Sequence, residues 1–506
     1  MKSLPRPAKT PSSVFEFCTA LLVACLLFSG ISSAAPSITL SKKSGPPTSQ
    51  ILVSGRGFEP NVGVDIYFGT KDEALVVTNS KGEFKNAKAH APRSAYPGQH
   101  WVTAPERNND KGAQEPFLVR TDWLQFHFEA DGTRLNPYEN VLNPKTVSGL
   151  GLRWSYKTRS AVYSAPAVAN GVIYVGSSWP DFSIYALNAK TGAKLWSYKT
   201  GFDVLSSPAV ADGVVYVGSY DTNVYALNAS TGILLWKYAT RNNVESSPAV
   251  ANGVVYVGSW DDNVYALNAK TGAKLWSYTT GFDVQSSPAV ANGVVYVGSD
   301  DDNVYALDAS TGALLWKYTT NGYVRSSPVV ANGVVYVGSG DGNLYALNAS
   351  TGALLWKYTT NGYVVSSPAV ANGVVYVGSG GSGNDVYALN ASTGAELWRY
   401  SISTDASPAV ANGVVYVGSW DDNVYALNAS TGALLWSYAT GAHVECSPTV
   451  ANGIVYIGSD DQNAYAFSMK NGSQQVVAAS ERPDLRTLRP DFSLKVSQQI
   501  PTPSPH

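Results

Sequence analysis

The chain has 506 residues, a formal net charge of -2, 44% hydrophobic residues and only 14% charged ones. That length exceeds one small module, and the charged fraction falls below the ~25% usual for soluble domains. Near-neutral charge with 31 Tyr and 13 Trp excludes a basic nucleic-acid binder, an acidic disordered chain and a charge-laced helical protein. Lys2, Arg6 and Lys9 precede an apolar stretch over residues 14–28, broken by Glu16, and Ser32-Ser33-Ala34-Ala35 follows. This order predicts a signal peptide over residues 1–35 with cleavage preferred after Ala34, and hence export to a bacterial periplasm, cell surface or exterior. Two alternatives are a retained anchor and a lipoprotein attached at Cys25, because Leu22-Val23-Ala24-Cys25 is similar to a lipobox. Beyond residue 35 no apolar run approaches the ~18 residues of a membrane span. Cys18 and Cys25 fall in the signal, so Cys446 stands alone, with no internal disulfide and no cysteine-rich metal site.

Residues 36–120 read as seven short strands, near 37–40, 50–54, 64–68, 75–78, 82–85, 100–103 and 117–119. Turn signals such as Gly45-Pro46-Pro47, Asn79-Ser80-Lys81-Gly82 and Pro97-Gly98 separate them, which predicts a small β-sandwich. The run Gly55-Arg56-Gly57-Phe58-Glu59-Pro60 before a strand resembles immunoglobulin-like modules of bacterial surface proteins. That resemblance implies a spacer or adhesion unit. Residues 121–149 form a lead-in linker, and the run from Thr121 through Tyr138 and Glu139 resembles the segment that precedes the propellers named below.

From residue 150 a Ser-Pro or Ala-Pro step followed by apolar alternation recurs, with proline at 166, 208, 248, 288, 328, 368, 408 and 448. A period near forty residues is that of propeller blades or another repeat array. In one unit, strands fall near 287–291, 294–299, 304–307 and 313–318, joined by Asn292-Gly293, Asp301-Asp302-Asn303 and Ala309-Ser310-Thr311-Gly312. Asn-Gly between alternating runs is a strong hairpin signal, since both central residues take positive φ. The ends favour a closed ring over an open solenoid. Leu152-Arg153-Trp154-Ser155-Tyr156 is a fourth strand lacking its first three, while the last unit lacks a fourth. Joining them predicts an all-β, eight-bladed β-propeller over residues 150–476, closed by its N-terminal strand, and a disordered tail over 477–506.

The block Ala266-Leu267-Asn268-Ala269-Lys270-Thr271-Gly272-Ala273-Lys274-Leu275-Trp276 returns seven times, closing on Trp196, Trp236, Trp276, Trp316, Trp356, Trp398 and Trp436, with Trp154 as the eighth tryptophan. Packing of each over a neighbouring blade's corner is the structural role expected of all eight. This spacing is similar to the tryptophan-docking motif of pyrroloquinoline-quinone (PQQ) repeat propellers. Trp260-Asp261 and Trp420-Asp421 are similar to WD repeats only superficially, because here the dipeptide opens the loop before the third strand.

Variation between copies concentrates in the link from second to third strand and the link into the next blade, which share one face of an up-and-down blade. The first link carries Trp179, Tyr220, Trp260, Asp300, Trp420 and Asp460. Three residues before each proline stand Tyr163, Leu205, Glu245, Gln285, Arg325, Val365, Asp405 and Glu445, beside Asp203, Arg241, Tyr323, Tyr363 and His443. Aromatic anchors among mixed charges around a channel suit a binding face for an unidentified protein or small ligand. No metal site is expected, since the Asp-Asp-Asn loops lack calcium-loop spacing and read as turns.

The resemblance implies two functions. One is a PQQ-dependent alcohol or sugar dehydrogenase with calcium. Such enzymes carry a vicinal cysteine pair, and some a Cys-x-x-Cys-His; neither occurs here, and the blades have almost no insertions. The other is a non-catalytic binding or scaffold propeller, like the assembly lipoprotein of outer-membrane barrels or extracellular sensors. The sequence favours the second: an exported monomer without cofactor, bound through the variable face.

Overall fold

The computed structural model describes residues 35–381, 383–469, 481–488, 490–491 and 494. The predicted signal, apart from Ala35, and Cys18 and Cys25 lie outside the described residues. Among the described residues regular structure is strand, save two 3-10 turns at Val147–Gly149 and Leu485–Thr487.

Among the described residues the repeats form eight sheets of antiparallel neighbours; seven are four-stranded, and in the eighth Leu135–Asn136 of the lead-in adds a parallel fifth strand beside Ala409–Ala411. In blade 4 these are Ala289–Ala291, Val294–Gly298, Asn303–Asp308 and Leu314–Thr319. Val295, Val297, Val304 and Ala306 are all fully buried, because adjacent blades cover both faces of the middle strands. This is why the middle strands read as almost continuous Val, Tyr and Ala rather than as clean alternation.

Ring closure follows the predicted join. Leu150–Lys157 pairs with Asn463–Met469, placing Trp154 opposite Ala466, with a bulge between Leu152 and Trp154. The other blades repeat this register, as where Trp196 faces Ala186 beside a bulge. Each outer tryptophan reaches the next corner: Trp236 Nε1 donates to Ala269 O at 2.9 Å, and Trp154 Nε1 to Ala189 O at 3.1 Å. Trp436, which meets the seam, donates instead to Leu150 O. Gly272 has φ +72°, and a Cβ there would lie 2.7 Å from the Trp236 ring, so the corner needs glycine for conformation and for space.

The N-terminal unit is a sandwich of a three-stranded sheet (Ser37–Leu40, Gln50–Arg56, Phe84–His90) and a five-stranded one built around Gly63–Phe68, Gly98–Pro105 and Gly112–Val119. Ile51, Val53, Ile66 and Phe117 fill its core. Several strands run longer than predicted. In Phe84–His90 the buried positions Ala87 and Ala89 alternate with exposed Lys85 and Lys88, and alanine gave too weak an apolar signal.

Two other segments differ from expectation. The described part of the tail lies against the sandwich: Gln114 Nε2 donates to Pro483 O, Arg482 covers the Trp101 ring at 5.3 Å, and Asp491 N donates to Asp72 Oδ2. The lead-in is not a plain linker either. It runs around the axis and bonds every innermost strand. Trp123 exchanges bonds with Val168; Val210, Val290, Val330, Val370 and Val410 donate to the carbonyls of Leu124, Ala130, Asp131, Thr133 and Arg134. Gln125 Oε1 accepts from Val250 N, and Asn136 Nδ2 donates to Val450 O.

Candidate functional site at the variable mouth of the ring

The innermost strand of each blade starts at the variable face, so the residue three before each repeat proline lines one mouth. The lead-in forms the floor. Arg134 is fully buried, and its guanidinium donates to Phe126 O, Ser407 O, Pro408 O and Pro448 O, with the Phe126 ring 4.6 Å away. Burial lowers Arg134 to about 9 and pushes neighbouring buried His127 well below its usual range.

One side of the mouth is closely bonded. Tyr220 Oη donates to Glu245 Oε2 at 2.5 Å, and the Tyr220 and Trp260 rings lie 5.3 Å apart. Arg325 holds Asp300 through Nε and Nη2 at 3.0 and 2.9 Å, Gln285 Nε2 donates to the same carboxylate, and Tyr323 lies 4.6 Å beneath the guanidinium. Desolvation raises Glu245, with the Tyr220 hydroxyl and Arg325 opposing.

The other side gathers acids with few donors. Burial lifts Asp405 to about 6 and Asp460 to about 6, and nearby Glu445 adds to both. Asp203 and Glu445 are raised mainly by burial, and burial with Asp460 pushes Tyr163 to about 12. Tyr363 Oη reaches Asp405 Oδ2 at 3.4 Å. Four buried side-chain atoms around this mouth have no hydrogen-bond partner: Asp203 Oδ1, Trp260 Nε1, Asp405 Oδ1 and Asp460 Oδ1.

The predicted set is therefore split. Tyr163, Tyr220, Glu245, Trp260, Gln285, Tyr323, Arg325, Tyr363, Asp405 and Glu445 line the mouth. Trp179 is 68% exposed, and Trp420 stacks at 6.4 Å on His443, which pairs with Asp422, in an exposed rim cluster. Arg241 contributes its backbone N–H to Asp261 Oδ2. Asp203, expected beside the innermost strands, and Asp300 and Asp460, expected in the second-to-third links, also belong to the mouth. Arg134 was missed; an aromatic lead-in with Trp123, Phe126 and Phe128 was the available signal.

The Asp-Asp-Asn loops are turns. Asp261 accepts from Asn263 N and Tyr265 Oη, so its carboxylate is already engaged. Cys446 takes a serine position of the repeat: Gly458 N donates to its Sγ at 3.1 Å, as Gly218 N does to Ser206 Oγ. Burial pushes the Cys446 thiol up to about 12. Among the described residues no three His, Cys, Asp or Glu converge as a metal group, so a cation here would need further ligands from whatever binds with it.

Two protein-family models match the chain. One, described as Beta-alanine-activating enzyme, beta-propeller, matches residues 212–407; the other, Outer membrane protein assembly factor BamB, matches residues 147–206 and 382–500. Among curated proteins, a 1-butanol dehydrogenase (cytochrome c) of Thauera butanivorans is 32% identical over 81 residues, 16% of this chain and 11% of that protein. The chain thus matches only a small part of that relative's length. A solved europium-containing methanol dehydrogenase is similar with a TM-score of 0.60 and 16% identity, over 69% of this chain and 98% of that one. BamB from Moraxella catarrhalis is similar with a TM-score of 0.55 and 20% identity, over 63% of this chain and 99% of that one.

These matches correct the functional expectation. The curated relative and the first of these solved structures are dehydrogenases, which overturns the reading of a non-catalytic scaffold without cofactor. Matched family models, tryptophan-docked corners and a closed ring of four-stranded sheets together make the repeat region a PQQ-like β-propeller.

Proposed function

We propose that this chain is a quinone-dependent dehydrogenase of small alcohols, with PQQ and a cation held at the variable mouth. One observation carries the reading: four buried polar atoms without partners, on Asp203, Trp260, Asp405 and Asp460, surround the same mouth. Buried polar groups are normally satisfied, so these atoms call for partners, which a polar ligand seated in the mouth would supply. The donor set fits the group. Asp460, with Glu445 near it, would offer two hard carboxylates to a cation whose remaining ligands come from the quinone. The Trp260 ring offers one flat face to a planar group, and Arg325, with its side chain 44% exposed and Nε and Nη2 on Asp300, has Nη1 left for a carboxylate.

When bound, the quinone would supply the two-electron acceptor for the alcohol carbon. The chain's own part is positioning and proton handling. Asp405, at about 6, is ionised at neutral pH, and its Oδ1 has no other donor, so it can accept the proton of a substrate hydroxyl. Export through the N-terminal segment, a spacer role for the sandwich and action as a monomer complete the proposal, since one chain closes the ring.

The test adds calcium or a lanthanide with PQQ to the purified protein, following tryptophan fluorescence, unfolding midpoint and dye-linked oxidation of methanol and 1-butanol. Saturable quenching, a raised midpoint and dye reduction are expected, all weakened by Asp405→Asn with Asp460→Asn. Unchanged fluorescence and midpoint with either cation would overturn the reading.

A further inference from the structure

The outer wall of the ring differs from the mouth in charge and polarity. The connections of the variable face hold seventeen Asp or Glu and three Arg, whereas the outer strands with their preceding turns hold eleven Lys or Arg and one acid, Glu396. The same strands expose apolar side chains at the end nearest the constant face. Over blades 2 to 5 these include Ile233 at 64%, Leu235 at 50%, Leu315 at 52% and Leu355 at 50%. Lys237, Lys270, Lys274, Lys317 and Lys357 stand among them, all exposed. Asp308, the one acid at this level, has its carboxylate bonded by Ser310 and Thr311 of its own turn.

Isolated exposed leucines are ordinary; leucines recurring at one height on consecutive blades are not. Repetition about the ring axis keeps these side chains level, and lysines interleave with them. No pocket or unique feature distinguishes one blade from the next, so the wall suits a surface that is itself uniform. The sandwich and lead-in occupy the constant face near blades 7, 8 and 1, where Arg120 Nη1 donates to Asn170 Oδ1 and Val141 and Pro144 cover Gly453 and Gly413. Blades 2 to 5 are the arc left clear.

We infer that the Leu/Lys wall of blades 2 to 5 docks on an anionic lipid bilayer surface. Apolar side chains enter the headgroup boundary while lysines meet lipid phosphates, and the acidic mouth faces away from the like-charged membrane. This inference is independent of the dehydrogenase reading.

The full chain is mixed with vesicles of phosphatidylserine and brominated phosphatidylcholine, and tryptophan quenching is recorded. The apolar stretch over residues 14–28 contains no tryptophan, and a Trp101→Phe background removes the one in the sandwich, so quenching reports the ring. Quenching should require phosphatidylserine, weaken at about 0.5 M salt, and fall about tenfold in Leu235→Gln/Leu315→Gln/Leu355→Gln. Lys237→Gln/Lys317→Gln/Lys357→Gln should reduce it similarly. An unchanged unfolding midpoint shows that both variants fold. Equal quenching by wild type and leucine variant, or with vesicles lacking phosphatidylserine, overturns the inference. So does a concentration-dependent dimer, lost in the leucine variant, together with absent vesicle quenching.

Discussion

The corners of the ring and its mouth are cut from the same forty-residue unit, yet they solve opposite problems. At a corner everything is satisfied: Trp276 Nε1 donates to Ala309 O, Asn268 Oδ1 accepts from Lys270 N and Thr271 N, and the Trp236 ring rests on Gly272. At the mouth, residues at one repeat position are Glu245, Gln285, Arg325 and Asp405, and Asp405 Oδ1 lacks a partner, as do Asp203 Oδ1 and Asp460 Oδ1 around the same opening. Stability is thus concentrated where the blades agree, which leaves the mouth free to hold groups that are costly without a ligand.

Substitutions can break this contrast in graded steps. Trp276→Ala should have the largest effect, about 3–5 kcal/mol in denaturant unfolding, because it empties a packed corner and removes one of the two hydrogen bonds to Ala309 O. Gly272→Ala should cost about 1–3 kcal/mol, from positive φ and collision with the Trp236 ring. A neutral result at either position would mean that the corners are not the source of stability.

The mouth should respond with the opposite sign. Asp405 and Asp460 bind protons more tightly folded than unfolded, at about 6 against 3.8, so they lower stability as pH rises from about 4 to about 6. Asp405→Asn with Asp460→Asn should flatten that slope and raise the pH 7 unfolding midpoint by about 1–3 °C. A steeper slope would contradict the assignment. Trp420→Ala, on the exposed rim, should change stability by less than about 0.5 kcal/mol.

Much of this contrast was legible in the sequence. Asn-Gly and Thr-Gly turns, the tryptophan spacing and the orphan strand at Trp154 specified blades, corners and seam, because each depends on local backbone conformation repeated many times. The mouth was legible only as variability. Its residues gain meaning from neighbours one or two blades away, such as Arg325 with Asp300 or Asp405 with Glu445, and no local rule connects them. Arg134 was hidden for a related reason: three of its four partner carbonyls, on Ser407, Pro408 and Pro448, lie more than 270 residues away.

The lead-in visits the eight innermost strands in the order in which the chain makes them, from Val168 to Val450. Near-identical repeats invite gene-level slippage that adds or deletes a unit. A thread with one fixed attachment per sector acts as a ruler: a ninth sector would find no place on it, and a seventh would leave an attachment dangling. The most irregular fourteen residues of the molecule thereby keep count for the most regular ones.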